Sequence, residues 1–447
     1  AKRGRQVIAN HTVGWGINST PVQRKGAGVR NARRAIEIWQ RWAETTQCDF
    51  ERQRDIYGLQ KLAIGTIARD GEVLIRRRRR PSSEGLHIPL QLQVLECDYL
   101  DTMKDLTRLE DGGFILQGIE FDKLGRRRAY WLFDEHPGSQ RSVVGGGSLL
   151  GLSKRVDAKD VLHVYRIDRP GQVRGISWFA PAIVTFKDSD EYEDATLVRQ
   201  KIAACFSAFV TDVEGDSPKT GTNDDNSDPA TDQFEPGMIV NLPLGKDIKF
   251  SNPPTVQEHE SFSGTLHRKM AAGLGITVED LTGDYRGMPF SAARMSRISH
   301  WFNVHDWQHQ MLIPQMCNPI WDWAMEAGQL AGQISEAPPA KHMPKPMPML
   351  EPEKEGLALQ RLVRSGALTP SDMIRRMGGD PDTHWDEYAA DIKLLREKGI
   401  VLDSDASKVS QTGQTQTDSG DGSGGQTGDD AGDGEDPDDD EDPDEDA

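Results

Sequence analysis

The sequence predicts an α+β protein, and three stretches of its hydrophobic pattern carry that prediction. Apolar residues recur at helical spacing from Val29 to about Ala68, and again from Ser177 to Val210. Between these stretches, residues 72–98 and 113–168 show the apolar–polar alternation and turn residues that are typical of strands. With 447 residues, the chain is long enough for two or three compact units.

The N-terminal third is expected to run from irregular to helical to β structure. Residues 1–25 are irregular and basic, and NHTVGWGINSTP at 10–21 predicts an extended, strand-like piece with glycine turns. After the helical stretch come EVLIRRRRR and HIPLQLQVLEC, two predicted strands separated by a Pro-Ser-Ser turn. Pro170 and Gly171 end the β-rich part.

The stretch Ser177–Val210 predicts one unusually long helix. At 1.5 Å per residue, its roughly 34 residues would extend about 50 Å. Its middle, Lys187–Asp194, is almost wholly polar. A long helix with a charged waist is expected in an assembly whose copies pack side by side.

The C-terminal half is predicted to alternate loops, short strands and helices. The expected elements are a mobile loop at 215–232, strands at 237–244 and 247–252, a helix at 255–274, a helix from Ser291 to about Met311 that Pro314 and Pro319 interrupt, an extended connector at 337–352 and a small helical unit at 353–400.

Charge is distributed very unevenly along the chain. The net charge is −18, but residues 403–447 contain 17 acids and one base, so residues 1–402 carry only −2, and residues 1–80 carry +11. The acidic tail cannot bury a core, and we expect it to be disordered. It is either a solubilising end or an electrostatic mimic of DNA that occupies basic sites on partners.

The segment Gly275–Met295 predicts a loop presented between two helices. A helical, apolar segment stops, a glycine-rich loop with Asp284, Tyr285 and Arg286 follows, and a new helix begins at Ser291. A loop in this position is expected to serve a function rather than only to connect helices.

Motifs for the common nucleic-acid enzymes are missing from the sequence. The nearest approach to a phosphate-binding loop, residues 146–152, lacks the required Lys and Ser/Thr. The acids of the body are too scattered for a two-metal site, and no GxSxG elbow is present. We therefore predict no catalytic residues and no cofactor.

One group of histidines has a spacing that resembles a metal site. His305 and His309 are separated by one helical turn, and His300 lies on a nearby turn. However, Asp306 stands where zinc proteases have Glu, and no third ligand follows at a defined spacing. We interpret the segment as the His-rich polar face of a packed helix and predict no metal, with a metal-dependent enzyme as the alternative.

Two basic runs, Arg76–Arg80 and Arg126–Arg128, border predicted strands. Alternate strand side chains face opposite sides, so at most three of the five in the first run can meet one partner. The runs either pair with acids on the surface and between subunits or contact a partner or phosphate.

The remaining sequence features concern compartment. The four cysteines are scattered without a CxxC pair, which is typical of reduced structural thiols in a cytoplasmic protein. No apolar run is long enough for a membrane span. No signal segment opens the chain, and because it begins at Ala1 rather than Met, we expect its native N-terminus to be missing.

Several motifs occur in the order found in one viral protein family. They are NHTVGWGI at 10–17, VLHVY at 161–165 with RPGQVRGIS at 169–177, EPGM at 235–238, LTGDY at 281–285 with SAAR at 291–294, and EPEKE at 351–355. Together they resemble the lambda-type family of tailed-phage portal proteins over about residues 6–400. Ala292 stands where the family usually has a second Ser, and the acidic tail lies outside the likeness.

The resemblance implies a portal-type fold with wing, long-helix stem, β-containing clip and small helical crown, assembled as a ring of typically twelve subunits. The implied domains are 1–94 (N-terminal part of the wing), 95–172 (clip and adjoining strands), 173–212 (stem helix), 213–340 (C-terminal part of the wing, with a tunnel loop at 282–290), 350–400 (crown) and 403–447 (disordered tail).

The resemblance also implies a non-enzymatic role in genome packaging, head–tail joining and genome ejection, at one capsid vertex of the virion and in the host cytoplasm during assembly. The implied partners are other copies of the chain, double-stranded DNA in the channel, the terminase large subunit, a head–tail connector and the major capsid or scaffold protein, with no membrane. The alternative within structural proteins is another capsid or connector component.

The resemblance also implies roles for three groups of residues. Asp284, Tyr285, Arg286 and Met288 would form a DNA-proximal tunnel loop; Lys187, Asp190, Glu191 and Asp194 would line the stem channel; Arg126, Arg127 and Arg128 would contact a partner or phosphate. Because each neutralised phosphate strengthens binding, a conduit should avoid gripping DNA, and the mostly acidic stem waist would favour sliding.

Overall fold

The computed structural model describes residues 1–22, 27–106, 108–139, 153–204, 208–212, 246–250 and 259–400. They form helices and mainly antiparallel β-sheets, which confirms the α+β prediction. The chain divides into two compact units, one of residues 1–381 and one beginning at Asp382. The predicted loop at 215–232, the strand at 237–244 and the tail at 403–447 lie outside the described residues.

The described helices are α1 (Lys2–Thr12), α2 (Ala27–Ala43), α3 (Ile56–Asp70), α4 (Ile183–Ala204), α5 (His259–Leu274), α6 (Val278–Thr282), α7 (Phe290–Asp306), α8 (Asn318–Leu330), α9 (Pro352–Arg364), α10 (Pro370–Arg376) and α11 (Pro381–Glu397). A π-helical segment, Trp307–Cys317, joins α7 to α8. Among these helices, none combines the length and the apolar character needed to cross a membrane.

The described strands are β1 (Asn18–Pro21), β2 (Glu72–Arg79), β3 (Leu90–Leu95), β4 (Phe114–Leu116), β5 (Ile119–Phe121), β6 (Arg127–Leu132), β7 (Lys154–Asp157), β8 (Val161–Tyr165), β9 (Ala208–Asp212), β10 (Lys246–Phe250) and β11 (Ala340–Met343). They pair antiparallel in the orders β3-β2-β8, β4-β5-β6-β7, β1-β11 and β9-β10.

The main hydrophobic core is organised around tryptophans from α2 and α8. Trp39 contacts Trp42 and Trp321 with ring centroids 5.9 and 5.0 Å apart, and all three rings are buried. Trp42 also donates from Nε1 to the Leu90 carbonyl at 2.8 Å, which ties α2 to β3 and satisfies a buried polar atom. A second cluster joins Leu74 of β2 and Leu95 of β3 to residues of β5, β6 and β8.

A buried carboxylate at the start of β2 holds the chain that leads into α4. Glu72 accepts hydrogen bonds from His163 Nε2 (2.8 Å), Arg174 Nε (2.6 Å) and the Gly175 amide (2.7 Å). Burial alone would raise the pKa of Glu72, but hydrogen bonds from His163 and Arg174 outweigh it and lower the pKa to about 2. The RPGQVRGIS motif therefore includes an anchor for this segment.

The close approach between the end of α3 and the segment that leads into α4 explains two glycines, Gly71 and Gly175. Gly71 ends α3 with φ +97°, and a Cβ on Gly175 would lie 2.2 Å from the Gly71 carbonyl oxygen. Gln172 secures the adjoining turn, because its amide donates to the Arg166 and Arg174 carbonyls at 3.2 and 2.9 Å. The backbones of the two segments can approach this closely only because neither glycine carries a side chain.

Both ends of the larger unit meet in one body. β1 pairs with β11, so that Ser19 lies opposite His342. Gln308, in the π-helical segment, donates to the Thr12 carbonyl at 2.8 Å. Residues more than 290 positions apart in sequence are therefore joined within one core.

Four sequence predictions need correction, and they concern the N-terminal segment, the connector, the long helix and the two prolines. The N-terminal segment is not extended up to residue 12, because Lys2–Thr12 is a helix whose buried residues include Gly4, Val7, Ile8 and Thr12, at the i, i+3, i+4 spacing of one face. The connector at 337–352 also contains strand β11. Extended structure begins only at Asn18, in β1.

The long helix predicted at Ser177–Val210 is shorter at both ends. α4 spans 22 residues, about 33 Å. Residues 178–182 form turns before it, since Pro181 cannot continue a helix from Ser177 and instead stands just ahead of the first helical turn. At the far end, Ala208–Asp212 is strand β9, paired with β10, and not helix.

Pro314 and Pro319 do not interrupt the helical course, contrary to the prediction. Pro314 lies inside the π-helical segment, and Pro319 lies in the first turn of α8. A proline near the start of an α-helix costs little, and the wider π-turn replaces the regular hydrogen-bond pattern around Pro314.

Candidate functional site

The loop between α6 and α7 is a presented element, as the sequence predicted. Thr277 caps α6 by accepting from the Asp280 amide at 3.1 Å, and Gly283 ends it with φ +78°. Residues 283–289 then reach the first residue of α7, Phe290. Phe290 is itself exposed, so the loop and the beginning of α7 form one exposed edge.

The two charged residues of the loop, Asp284 and Arg286, pair with each other. Arg286 donates to Asp284 from Nε at 2.9 Å and from Nη2 at 2.7 Å, and its side chain is 87% exposed. Hydrogen bonds from the Arg286 side chain and amide lower the pKa of Asp284 to about 2. The loop therefore presents an ion pair rather than a bare positive charge.

Tyr285 and Met288 are held at the base of the loop. The Tyr285 hydroxyl approaches Asp280 Oδ1 at 3.4 Å, although its ring is largely exposed. Both residues line a small cavity of about 40 Å³ with Arg297. Half of the predicted tunnel-loop set thus anchors the loop, while Asp284 and Arg286 lie at its surface.

Helix α4 places the four predicted channel-wall residues on its solvent side. Lys187, Asp190, Glu191 and Asp194 are all exposed, and Lys187 pairs with Glu191 at 3.4 Å. Such an exposed pair contributes little to stability. What these residues give the helix is a polar, mostly acidic surface.

The opposite side of α4 packs against α5. The ring of Tyr192 lies 5.5 Å from that of His259 and 4.6 Å from that of Phe262. Ser189 and Thr196, one helical turn to either side of Tyr192, are buried. The two helices thus form a pair, and strands β9 and β10 occur in the sequence between them.

Helix α4 also exposes apolar side chains outside this contact. Ile183, Val184, Leu197 and Val198 are each at least half exposed in the single chain. They come in two pairs separated by about four helical turns, near the two ends of the helix. Exposed aliphatic pairs of this kind are suited to a protein–protein contact.

The basic runs are engaged within the chain to a large extent. Arg77 is buried and pairs with Glu326 at 2.8 Å, while Arg79 pairs with Asp160 at 3.2 Å. In the second run, Arg127 donates to the Val173 carbonyl at 3.0 Å and to the Tyr165 hydroxyl, and Arg128 pairs with Asp111.

Arg126 has a different environment from its two neighbours in the second run. Its amide is bound to Asp122, and its side chain is exposed. It is therefore the residue of that run best placed to reach a partner.

The three histidines of the enzyme alternative do not converge. The rings of His305 and His309 lie 4.1 Å apart on the exposed side of the helix, in a groove that also contains Lys341 and Lys345. His300 is buried and faces α1 instead. Nearby lysines disfavour a metal cation at His305 and His309.

The sequence interpretation missed the partners of His300. His11 Nδ1 lies 2.9 Å from His300 Nε2, and Asp280 lies beside both. The residues come from α1, α6 and α7, and are brought together only by the tertiary fold. The one local hint was that His11 and Asp280 each lie within or beside a family-like motif.

Comparison with known proteins gives a consistent set of matches. The family described as "Phage portal protein, lambda family" matches residues 1–308. A curated protein of Halomonas phage phiHAP-1, named "Probable portal protein", is 26% identical over 416 residues, which cover 90% of this chain and 78% of that protein.

Solved structures resemble the chain more distantly. A chain in the neck of the native GTA particle, computed with C12 symmetry, is 15% identical with a TM-score of 0.49, covering 85% of this chain and 89% of the other. An HK97 family phage portal protein from Corynebacterium diphtheriae is 11% identical with a TM-score of 0.33, covering 76% and 91%.

Proposed function

The chain belongs to the lambda family of phage portal proteins, and from that premise we propose that its copies form the ring-shaped DNA channel of a capsid vertex. As a portal protein it is a structural component of the virion. The proposed ring has twelve subunits, passes double-stranded DNA during packaging and ejection, and carries no catalytic activity.

The observation that carries the channel proposal is the loop 283–289. It is exposed, begins and ends at helices, and carries an Arg286 whose charge is balanced by Asp284. In a channel this pair would meet phosphates without releasing many counterions, so DNA could slide rather than bind. Asp284, Tyr285, Arg286 and Met288 are thus proposed as the tunnel loop.

We propose α4 and α5 together as the stem. The acidic side of α4, with Lys187, Asp190, Glu191 and Asp194, would face the channel. Its exposed aliphatic ends would pack against a neighbouring subunit, which would remove them from water. Support comes from the contact of Tyr192 with α5.

We propose the remaining domains as the sequence placed them, apart from α5. Residues 1–94 and the rest of 213–340 are proposed as the wing, which is supported by the main core that residues of both segments share, and 350–400 are proposed as the crown. We propose that the clip and adjoining strands lie in 95–172, as the sequence placed them; residues of that region share the second core with β2.

The proposed partners outside the ring are the terminase large subunit, a head–tail connector, and the major capsid or scaffold protein. Arg126 is the proposed partner contact among Arg126, Arg127 and Arg128, because its side chain is exposed while the other two are bound within the chain. Assembly is proposed to occur in the host cytoplasm.

Charge reversal in the loop tests the channel assignment. Arg286→Glu would place two carboxylates side by side and repel phosphate, so packaged DNA per particle should fall while rings still form. The matched control is Arg375→Glu, which breaks a similar exposed pair with Asp372 in α10. DNA content should be measured in particles assembled with each variant, and rings checked by electron microscopy.

Different results would refute the tunnel-loop assignment and the channel proposal. Normal DNA filling with Arg286→Glu would refute the tunnel-loop assignment alone. Purified wild-type protein that never forms rings with a DNA-wide opening would refute the channel proposal.

A further inference from the structure

We propose that His11, Asp280 and His300 form a binding site for a divalent transition-metal ion such as zinc. One ligand atom from each residue lies within 4.8 Å of the other two. The inference concerns a site that the portal function does not require, and it does not depend on the assignment of the channel.

The separations are close to those of a tetrahedral zinc centre. His11 Nδ1 lies 2.9 Å from His300 Nε2 and 3.9 Å from Asp280 Oδ2. Bonds of about 2.0–2.2 Å place neighbouring ligand atoms roughly 3.3–3.5 Å apart in tetrahedral geometry. Side-chain movements of about half an ångström would therefore make room for the ion.

The tautomer of His300 is already set for metal binding. Its Nδ1 lies 3.2 Å from the Gly275 carbonyl oxygen, which can only accept, so Nδ1 carries the proton. The lone pair is then on Nε2, which points at His11. A ring nitrogen that donates to a backbone carbonyl is the usual support of a zinc-bound histidine.

The hydrogen bond between the two imidazoles takes its proton from His11. Because His300 Nε2 carries a lone pair, His11 Nδ1 is the donor over the 2.9 Å that separate them. Binding of an ion through His11 Nδ1 would therefore require that this proton move to His11 Nε2 or be released.

Two neighbouring positive charges, Arg297 and Lys345, have to be accommodated, and the carboxylate of Asp280 offsets them. Arg297 Nη1 lies 3.3 Å from both carboxylate oxygens of Asp280, and Tyr285 approaches Oδ1. Asp280 has two oxygens, so Oδ1 can keep Arg297 and Tyr285 while Oδ2 turns to the ion. A water or anion would fill the fourth position.

Two of the three residues border open space. His300 lines a cleft of about 420 Å³ that also involves Ser296 and Asn303, and Asp280 lines the small cavity beside Tyr285. Nitrogen ligands with one carboxylate favour zinc and similar first-row ions over magnesium or calcium. Bound metal would join α1, α6 and α7 directly beneath the loop 283–289.

Metal analysis of the full-length protein tests the site. Chelator-treated protein is reloaded with zinc, dialysed, and its bound zinc measured. Wild type should retain one zinc per subunit. His11→Gln and His300→Gln should each lower the affinity at least about tenfold, the smallest loss seen on removing even an outer-shell partner.

A double variant, His305→Gln with His309→Gln, is the matched control and should retain the zinc. Cobalt provides a second readout on unmodified protein, because tetrahedral Co²⁺ gives strong visible absorption bands. These bands should appear on addition of cobalt and disappear when zinc is added. Their appearance does not depend on whether a variant folds.

Three outcomes would overturn the proposal. They are wild-type protein without retained zinc or cobalt bands, zinc that is lost in the His305/His309 control instead, and zinc that is unchanged in correctly folded His11→Gln and His300→Gln. The last result would point to carboxylates elsewhere, including those of the acidic tail.

Discussion

Replacing Glu72 with Gln should destabilise the larger unit by about 2–3 kcal/mol at neutral pH. The pKa of Glu72 is about 2 in the folded protein against an ordinary value of 4.5. At about 1.4 kcal/mol for each pKa unit, this fall corresponds to roughly 3 kcal/mol. We take this as the upper limit, because His163 is kept neutral by burial and contributes a hydrogen bond rather than a charge.

The amide of Gln cannot reproduce the carboxylate. Glu72 receives donors on both oxygens, from Arg174 on Oε1 and from His163 and Gly175 on Oε2. In the Glu72→Gln variant, one of these oxygens is replaced by an NH₂ group that faces another donor. A buried donor is then left without an acceptor, and Arg174 loses its counter-charge.

Urea unfolding followed by tryptophan fluorescence measures the effect, with wild type and variant at equal protein concentration. Glu110→Gln, at an exposed position, is the control and should change the unfolding free energy by less than about 0.5 kcal/mol. An unfolding free energy for Glu72→Gln within about 0.5 kcal/mol of wild type would refute the reasoning.

The pH dependence of this difference has a defined sign. The folded pKa is depressed, so the contribution is fully present above pH 4.5 and is lost as the pH falls from 4.5 towards 2. The difference between wild type and Glu72→Gln should therefore be equal at pH 7 and pH 6, and should shrink below pH 4.5.

Two further outcomes are expected. Gly175→Ala should lower the unfolding free energy by about 1–3 kcal/mol, because the added Cβ would lie 2.2 Å from a backbone oxygen; Gly65→Ala, within α3 and with open space around it, should be neutral or stabilising. Equal urea midpoints for the two variants would contradict this. His11→Gln, measured with chelator present, should weaken the decline of stability between pH 6.5 and about 4, because burial lowers the pKa of His11 and the unfolded chain therefore binds more protons in that range. A stability curve parallel to that of wild type across this range would argue against a titrating His11.

The local pattern of the sequence was sufficient where one periodicity dominated. Helix α3 was predicted because its helical spacing is unbroken, and strand β2 because a short apolar run, Val73–Ile75, leads into arginines that end at a turn. The start of the chain was misjudged because its glycines and β-branched residues favour extended structure when considered alone. Packing of Val7 and Ile8 against distant helices overrides that preference.

The C-terminal end of α4 shows a second limit of prediction from the sequence. Residues 208–212 fit a helical spacing with the residues before them, but pairing with β10 makes them a strand. The partner strand lies some 35 positions further on, and no local feature of the sequence indicates that the two segments pair. Apolar runs this short are compatible with either structure.

Clusters of polar residues could not be predicted from the sequence, for a related reason. His163 lies 91 positions from Glu72, and His300 lies 289 positions from His11. Neither pair has a fixed spacing that a motif could express. By contrast, the loop 283–289 was predictable, because its ion pair and both of its boundaries are encoded within a few residues.

The joining of both chain ends in one core also bears on synthesis. Residues that cover helix α1, such as Leu274 and Gln308, are translated roughly 270 or more positions after it. At about 5–20 residues per second, that delay is on the order of 15–50 s. During this delay, α1 can pack only against elements that are already made, such as α3. A nascent subunit therefore cannot close its core until translation is well past its midpoint, and shortened chains that end before residue 308 should be recognised by chaperones rather than enter assembly.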